Sequence, residues 1–342
     1  MGTDSTMAPD KVVIVGATGL VGTQLVKVLE RLPLDVESLS LLAGHRSAGR
    51  SVSFRGRHCV VEKFDPSHFK GAKWVFFGGK DGLSEEFCPI AASEGAWVID
   101  NSSVFRLREN FPLVVPEINM HAIKGASGII ANPNCSTIQL AVALAPIRDK
   151  FGLKRVIVST YQSASGAGGE YLEQLENDTR VVLDGNEKGV GRDSPAFNLL
   201  PAIGPLEKEG RYGEEYKLEN ELRKILEMPD LPVVATAVRV PTRYSHGESV
   251  VIETESAMDS ETARVLWRSA PGMAVLDGPD STSFPTPRTA TGTDPVWVGR
   301  IRSAGIFTND LAFWIVADNL LKGAALNAVQ IAVALSERER RK

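Results

Sequence analysis

Cys135 stands in the stretch Gly128-Ile-Ile-Ala-Asn-Pro-Asn-Cys-Ser-Thr-Ile-Gln-Leu140, where an apolar run, Ile129 to Ala131, stops at Asn132-Pro133-Asn134 and a second apolar run continues to Ile147. The pattern predicts a strand, a sharp turn and a helix that opens on the thiol. Exposed N–H groups and the positive end of the helix dipole favour a thiolate there, and the thiolate is the form that attacks carbonyls. The plainer reading of a lone cysteine is a small buried hydrophobe, so its partners decide. His246 follows a strand that carries Arg239 inside an apolar run, and charges in such runs are rarely placed for packing. Gln162 ends another predicted strand, Lys154 to Tyr161, just before the turn Ser165-Gly-Ala-Gly-Gly169. Its amide suits either a bound substrate or a hydrogen bond to that turn. A lone histidine is usually structural, whereas a site for acyl transfer would need a nucleophile, a proton shuttle and cations for its anions.

A second chemistry-bearing stretch lies near the start. Lys11-Val-Val-Ile-Val-Gly16 reads as an apolar strand, and Gly16-Ala-Thr-Gly-Leu-Val-Gly22 leads from it into a helix, Thr23 to Glu30. Glycines 16, 19 and 22 form a dinucleotide fingerprint whose first two glycines stand one position further apart than usual. The physics survives the shift: a small residue lets the backbone turn, N–H groups face a pyrophosphate, and the helix N-terminus attracts it. The alternative is a merely structural strand-to-helix turn. The next strand, Val36 to Ala43, ends in Gly44-His-Arg-Ser-Ala-Gly49. In an NAD site an acidic residue at that end holds the ribose, but Asp35 and Glu37 lie at the other end. Arg46 and Ser47 stand there instead, and a guanidinium beside a hydroxyl suits a 2′-phosphate, so NADP is expected. A solvated loop arginine is the alternative.

A chain of 342 residues has room for two domains with a core each. A net charge of −4 with both signs mixed throughout argues against nucleic acid as a partner. Cys59, Cys88 and Cys135 have no metal-ligand spacing and fit a reducing compartment, so no metal site is expected. No apolar run approaches the roughly 18 residues of a membrane span. The polar leader Met1 to Asp10 is not signal-like, and a cytoplasmic protein without membrane contact is expected.

Strands at Trp74 to Phe77 and Ala96 to Ile99 flank a helix from Ser84 to Ser93, the alternation of a doubly wound parallel sheet. The turns Gly78 to Gly82 and Asp100 to Arg106 would open at its carboxyl edge, where ligands bind. Arg180 to Val190 reads as a loop and Gly213 to Met228 as a helix with a stripe of Leu218, Leu222, Ile225 and Leu226. Lys217, Glu221 and Lys224 share a neighbouring face of that helix, by spacing alone a solvent-facing salt-bridge row. Strands are expected at Val233 to Val240 and Val250 to Ser256, then a helix from Ser260 to Ser269 and a proline- and glycine-rich connection from Pro271 to Pro295. Strands at Trp297 to Ile301 and Leu311 to Ala317 precede an alanine-rich helix, Leu320 to Ser336, and a charged tail.

Gly16-Ala-Thr-Gly-Leu-Val-Gly22, Ile99-Asp-Asn-Ser-Ser-Val-Phe-Arg106, Asn132-Pro-Asn-Cys-Ser-Thr137 and Thr160-Tyr-Gln-Ser-Ala-Ser-Gly-Ala-Gly168 together resemble the aspartate-semialdehyde dehydrogenases, over nearly the whole chain from Lys11. The resemblance implies NADPH-dependent, reversible reductive dephosphorylation of L-4-aspartyl phosphate to aspartate semialdehyde through a cysteine thioester, in the pathway to lysine, threonine and methionine. It implies Cys135 as nucleophile, His246 as acid/base and Gln162 as the group that orients the substrate. It also implies Arg239 as clamp for the α-carboxylate, Glu221 for the amine, Arg106 and Lys224 for the phosphate, and Asn134 as a further substrate contact. Arg243 is a competing clamp. Cofactor contacts are implied at Gly16, Thr18, Gly19, Leu20, Val21, Gly22, Arg46, Ser47, Ser165, Gly166 and Asn319. The family commonly has a lysine after its glycine turn, where this chain has Gly169 and Glu170.

The implied fold is α/β. A Rossmann-type parallel-sheet NADP domain takes residues 1–134 with 319–342, and a catalytic and dimerisation domain with a mixed sheet takes residues 135–318, in a homodimer or tetramer. The sister family of N-acetyl-glutamyl-phosphate reductases has a different cysteine motif. A reductase for such another acyl phosphate, and a non-catalytic NADP-binding regulator, are the rival readings.

Overall fold

A computed structural model describes residues 10–78 and 80–341; the leader up to Pro9, Gly79 of the second turn and Lys342 of the tail lie outside the described residues. Asp10, read as the end of the leader, is buried: it accepts from the Trp74 indole at 2.9 Å and pairs with Lys73 at 3.1 Å. The contacts gather the described parts of Met1–Pro112, His121–Asn132 and Ala328–Lys342 into one unit, and Leu113–Met120 with Pro133–Asn327 into another. The junctions therefore fall after Asn132 and Asn327, where the sequence suggests after Asn134 and after Asp318.

The chain begins with β1 (Lys11–Val15), α1 (Leu20–Arg31), β2 (Ser38–Ala43), β3 (Ser51–Phe54), β4 (Arg57–Lys63), β5 (Trp74–Phe77), α2 (Asp81–Ser93) and β6 (Trp97–Asp100). α3 (Pro116–Asn119) belongs to the second unit, and β7 (Gly128–Ala131) to the first. The sheet runs β3-β4-β2-β1-β5-β6-β7, parallel except for the β3–β4 hairpin at its edge. β5 and β6 are buried at every position, the apolar run expected of inner parallel strands. The hairpin is not expected from the sequence. Its turn is Arg55-Gly56, both with positive φ, in place of the usual Asn-Gly, and its strands are polar and half exposed.

The second unit continues with α4 (Cys135–Phe151), β8 (Arg155–Gln162), α5 (Gly169–Leu183), α6 (Gly213–Ile225), β9 (Val233–Arg239), β10 (His246–Glu253), α7 (Ser260–Ser269), β11 (Met273–Val275), α8 (Pro287–Ala290), β12 (Val296–Arg302) and β13 (Asp310–Ala317). Its sheet, β11-β12-β13-β10-β8-β9, is mixed: β11–β12 and β8–β9 are parallel pairs and the rest antiparallel. α4, α6 and α7 pack on it. β8 alternates buried and exposed residues, so its other face presents Ile157 and Tyr161, joined by Val234 of β9.

Four expectations are corrected. α5 takes the first residues of the expected Arg180 to Val190 loop, because Leu172 and Leu175 bury against Ala164. β10 starts at His246 rather than Val250, since His246, Gly247 and Glu248 already pair with β13. β11 and α8 lie inside the expected Pro271 to Pro295 connection. The terminal helix opens with a π-turn, Leu321–Ala325, before α9 (Leu326–Arg340), which runs four residues into the expected tail. Gly323 N–H bonds Asp318 O and Ala325 N–H bonds Leu320 O, each five residues back. A Cβ on Gly323 would lie 2.9 Å from the Cβ of Cys135, so the π-turn brings bare backbone against the thiol residue.

Candidate active site

α4 opens on Cys135 because Asn134 caps it. The Asn134 Oδ1 accepts from the Ser136 N–H at 2.9 Å and from its hydroxyl at 2.6 Å. Asn134 is itself held: its N–H donates to Glu221 at 2.6 Å and its Nδ2 to Glu214 at 2.8 Å. Gln162, the last residue of β8, donates to the same Glu214 oxygen at 2.9 Å and accepts from Thr160 at 3.1 Å. Glu221 is fully buried, so the surface row suggested by its spacing is not what forms. Glu214 was missed by the sequence reading, although it lies two helical turns before Glu221 on the same face of α6.

His246 is fully buried, and its Nε2 lies 3.2 Å from Cys135 Sγ. The Ser163 backbone N–H points at Nδ1 from 3.0 Å, and an amide N–H can only donate. Nδ1 is therefore an acceptor, and the neutral imidazole carries its proton on Nε2, facing the sulfur. The support continues through Asn319, whose Oδ1 accepts from the Ser245 N–H at 2.8 Å and from the Ser165 hydroxyl at 3.2 Å. Burial, and secondly the charge of Arg239, hold the imidazole neutral down to a pKa of about 3, against the opposing pull of Glu214.

Arg239 ends β9 beside Gln162 in register. Its Nη1 donates to Ser163 O at 2.7 Å, and its guanidinium carbon lies 5.8 Å from the centre of the Tyr171 ring. A Cβ on Gly166 would sit 3.0 Å from His246 Nε2 and 3.1 Å from Arg239 Nη1, so that glycine leaves room over both groups. Arg243, the competing clamp, is not brought in: it is 64% exposed and pairs with Glu176 at 3.1 Å. Lys224 is half-buried, one turn beyond Glu221 on α6.

In the first unit Gly16 takes φ +82°, and its carbonyl accepts from the Gly19 N–H at 3.0 Å. Gly19 caps α1 without a side chain, so the N-terminal turn through Leu20, Val21 and Gly22 offers its first N–H groups to an anion, with Thr18 beside it. A Cβ on Gly22 would lie 2.2 Å from Gly16 O and 2.7 Å from Ala17 Cα, both backbone. Gly22→Ala is therefore expected to open this loop, at a cost of about 1–3 kcal/mol or more. Dinucleotide binding should be lost by titration calorimetry, while alkylation of Cys135 in the second unit stays at its normal rate. Arg46 is exposed and Ser47 half-buried in the turn after β2. Arg106 is buried and donates to Asn101 O at 2.7 Å. Among the described residues no group of His, Cys, Asp or Glu fits a metal ion, and no helix is long and apolar enough to cross a membrane.

Comparison with known proteins agrees with this chemistry. Residues 11–126 match the semialdehyde dehydrogenase NAD-binding domain, and residues 144–322 match the semialdehyde dehydrogenase dimerisation domain. An aspartate-semialdehyde dehydrogenase of Aquifex aeolicus is 46% identical over 331 residues, 95% of this chain and 97% of that protein. The crystal structure of aspartate semialdehyde dehydrogenase II of Vibrio cholerae complexed with ASA superposes with a TM-score of 0.91 at 40% identity, covering 97% of this chain and 99% of that one. The aspartate semialdehyde dehydrogenase of Candida albicans with NADP gives a TM-score of 0.74 at 26% identity, covering 95% and 98%. The chain belongs to the semialdehyde dehydrogenase family and, within it, to the aspartate-semialdehyde dehydrogenases.

Proposed function

We propose that this enzyme reduces L-4-aspartyl phosphate to aspartate semialdehyde with NADPH, reversibly, through a thioester on Cys135. The observation that carries the reading is the thiol at a capped helix start, 3.2 Å from an imidazole whose proton faces it. Cys135 thiolate attacks the acyl carbon, the C–O bond to phosphate breaks, and a thioester forms. When bound, the cofactor supplies the hydride that reduces this carbonyl. The Nε2–H of His246 then holds the oxyanion, which collapses to the aldehyde and returns the electron pair to sulfur. In this geometry the expected acid/base residue begins each direction as a donor.

We assign the substrate carboxylate to Arg239, whose planar fork fits it, and the amine to Glu221. By the same resemblance the phosphate is assigned to Arg106 and Lys224, orientation of the acyl group to Gln162 and Asn134, and further cofactor contacts to Ser165, Gly166 and Asn319. The bare N-terminus of α1 fits a pyrophosphate, and Arg46 with Ser47 would select the 2′-phosphate. Arg46→Ala should weaken NADP relative to NAD by about 1.5–3 kcal/mol, the worth of a charge-assisted hydrogen bond. An unchanged preference in paired titrations would mean that another residue reads that phosphate.

We also infer a cytoplasmic homodimer. A reactive thiol favours a reducing compartment, and the exposed apolar sheet face of Ile157, Tyr161 and Val234 is suited to a second copy. The test of function is phosphate-dependent NADPH formation. It should be rapid with aspartate semialdehyde and slow with N-acetyl-glutamate semialdehyde; the reverse order would overturn the assignment.

A further inference from the structure

Beside the Cys135–His246 pair lies a second pair of polar side chains that the reaction does not use. Gln139 follows Cys135 by one helical turn on α4, and Glu248 follows His246 by two residues on the same face of β10. α4 packs on β10, and both side chains are fully buried. Neither the carboxyl nor the amide makes a hydrogen bond of full geometry among the described residues. In the sheet Glu248 stands opposite Thr160 on one side and Ile315 on the other, so Gln139 is its polar neighbour from the helix layer.

Apolar side chains would cost less here, where Ile138 and Leu140 beside Gln139 on α4, and Val250 and Ile252 further along β10, are themselves fully buried. Burial raises the Glu248 pKa well above the ordinary carboxylate range, and Gln139 offsets this only in part. A protonated carboxyl can donate to the amide oxygen and accept from the amide nitrogen, a two-way match that an apolar pair lacks.

We propose that Glu248 works as a neutral carboxylic acid which, paired with Gln139, sets the spacing between the helix that carries Cys135 and the strand that carries His246. The pair positions the reacting groups without touching substrate. Its reach extends to a third group, because Thr160, opposite Glu248, holds the Gln162 amide. This inference rests on Cys135 and His246 being the reacting pair, so its test uses a readout that needs no substrate.

The experiment measures the rate of iodoacetamide alkylation of Cys135 against pH, beside kcat and KM, for the full-length enzyme and three variants. Glu248→Gln, which keeps a neutral hydrogen-bonding group, should retain the pH profile and rescue kcat. Glu248→Leu and Gln139→Leu should each fold with a modest loss of thermal stability, since the polar partner left behind is buried, yet shift the alkylation profile and lower kcat by about 10- to 100-fold with KM little changed. Infrared difference spectra should show a protonated-carboxyl band at neutral pH that Glu248→Gln removes, a readout that stands even if a leucine variant fails to fold. Loss in Glu248→Gln equal to that in Glu248→Leu, or absence of the band, would overturn the neutral-acid role. Leucine variants with the normal profile and kcat would reduce the pair to packing. Alkylation shifts as stated in an enzyme inactive on aspartate semialdehyde would uphold the pair and sink the substrate assignment instead.

Discussion

Cys135→Ala should abolish turnover of aspartate semialdehyde, by a factor on the order of 10⁶ if the thiol is the sole nucleophile. NADPH affinity should stay near normal, since the glycine loop proposed to receive it belongs to the other unit. The variant should fold, because Asn134 and Ser136 keep the cap of α4 intact without the sulfur. The same argument orders the three thiols toward iodoacetamide. Cys135 is half-buried at a helix start with an N–H donor on its sulfur, whereas Cys88 is fully buried and burial pushes its pKa up, against the thiolate. Cys59 is half-buried within strand β4 of the hairpin rather than at the first position of a helix. Mass spectrometry of briefly treated enzyme should find label on Cys135 first. Substantial residual turnover in Cys135→Ala, or first label on Cys59, would remove the thiol from the centre of the mechanism.

Most of the framework was legible because its signals are local. Apolar runs give β1, β5 and β6, and Asn-Pro-Asn before Cys135 marks a strand end and a helix cap in adjacent residues. The apolar runs put Gln162 and His246 after predicted strands and Arg239 inside one, and the structure brings these three together around Ser163. What stayed hidden depends on long-range partners. Glu214 and Glu221 look like surface charges by helical spacing, and only the packing of α6 against α4 turns them inward onto Asn134 and Gln162. Ser163 acts through its backbone N–H, which has no sequence signature. α5 was missed because its apolar stripe is short, and the hairpin because its turn lacks the common residues. Arg243 and Arg239 could not be ranked by spacing; the partner Glu176, far away in sequence, holds one of them at the surface.

His246→Ala should lower kcat by about 10²–10³, the usual loss when one oxyanion donor is removed. His246→Gln should lose less, because its amide N–H can reach toward the place of Nε2–H. A true acid/base role would make the two variants equally poor, since an amide does not carry protons, so the ratio between them decides which role His246 plays. The pH dependence of stability provides a second, substrate-free check. In the unfolded chain the imidazole titrates near 6.5, whereas in the fold it resists protonation until about 3. Between these values the unfolded state binds the proton that the folded state refuses. The neutral histidine's contribution is thus intact above about pH 6.5, and it is lost as pH falls, at no more than about 1.4 kcal/mol per pH unit. His246→Gln has no group to protonate, so its stability should fall less steeply than the wild type's from pH 6 down to pH 4. Urea titrations of both proteins across that range would measure the difference. Parallel curves would mean that His246 titrates normally in the fold, and the donor assignment drawn from Ser163 would fall with it.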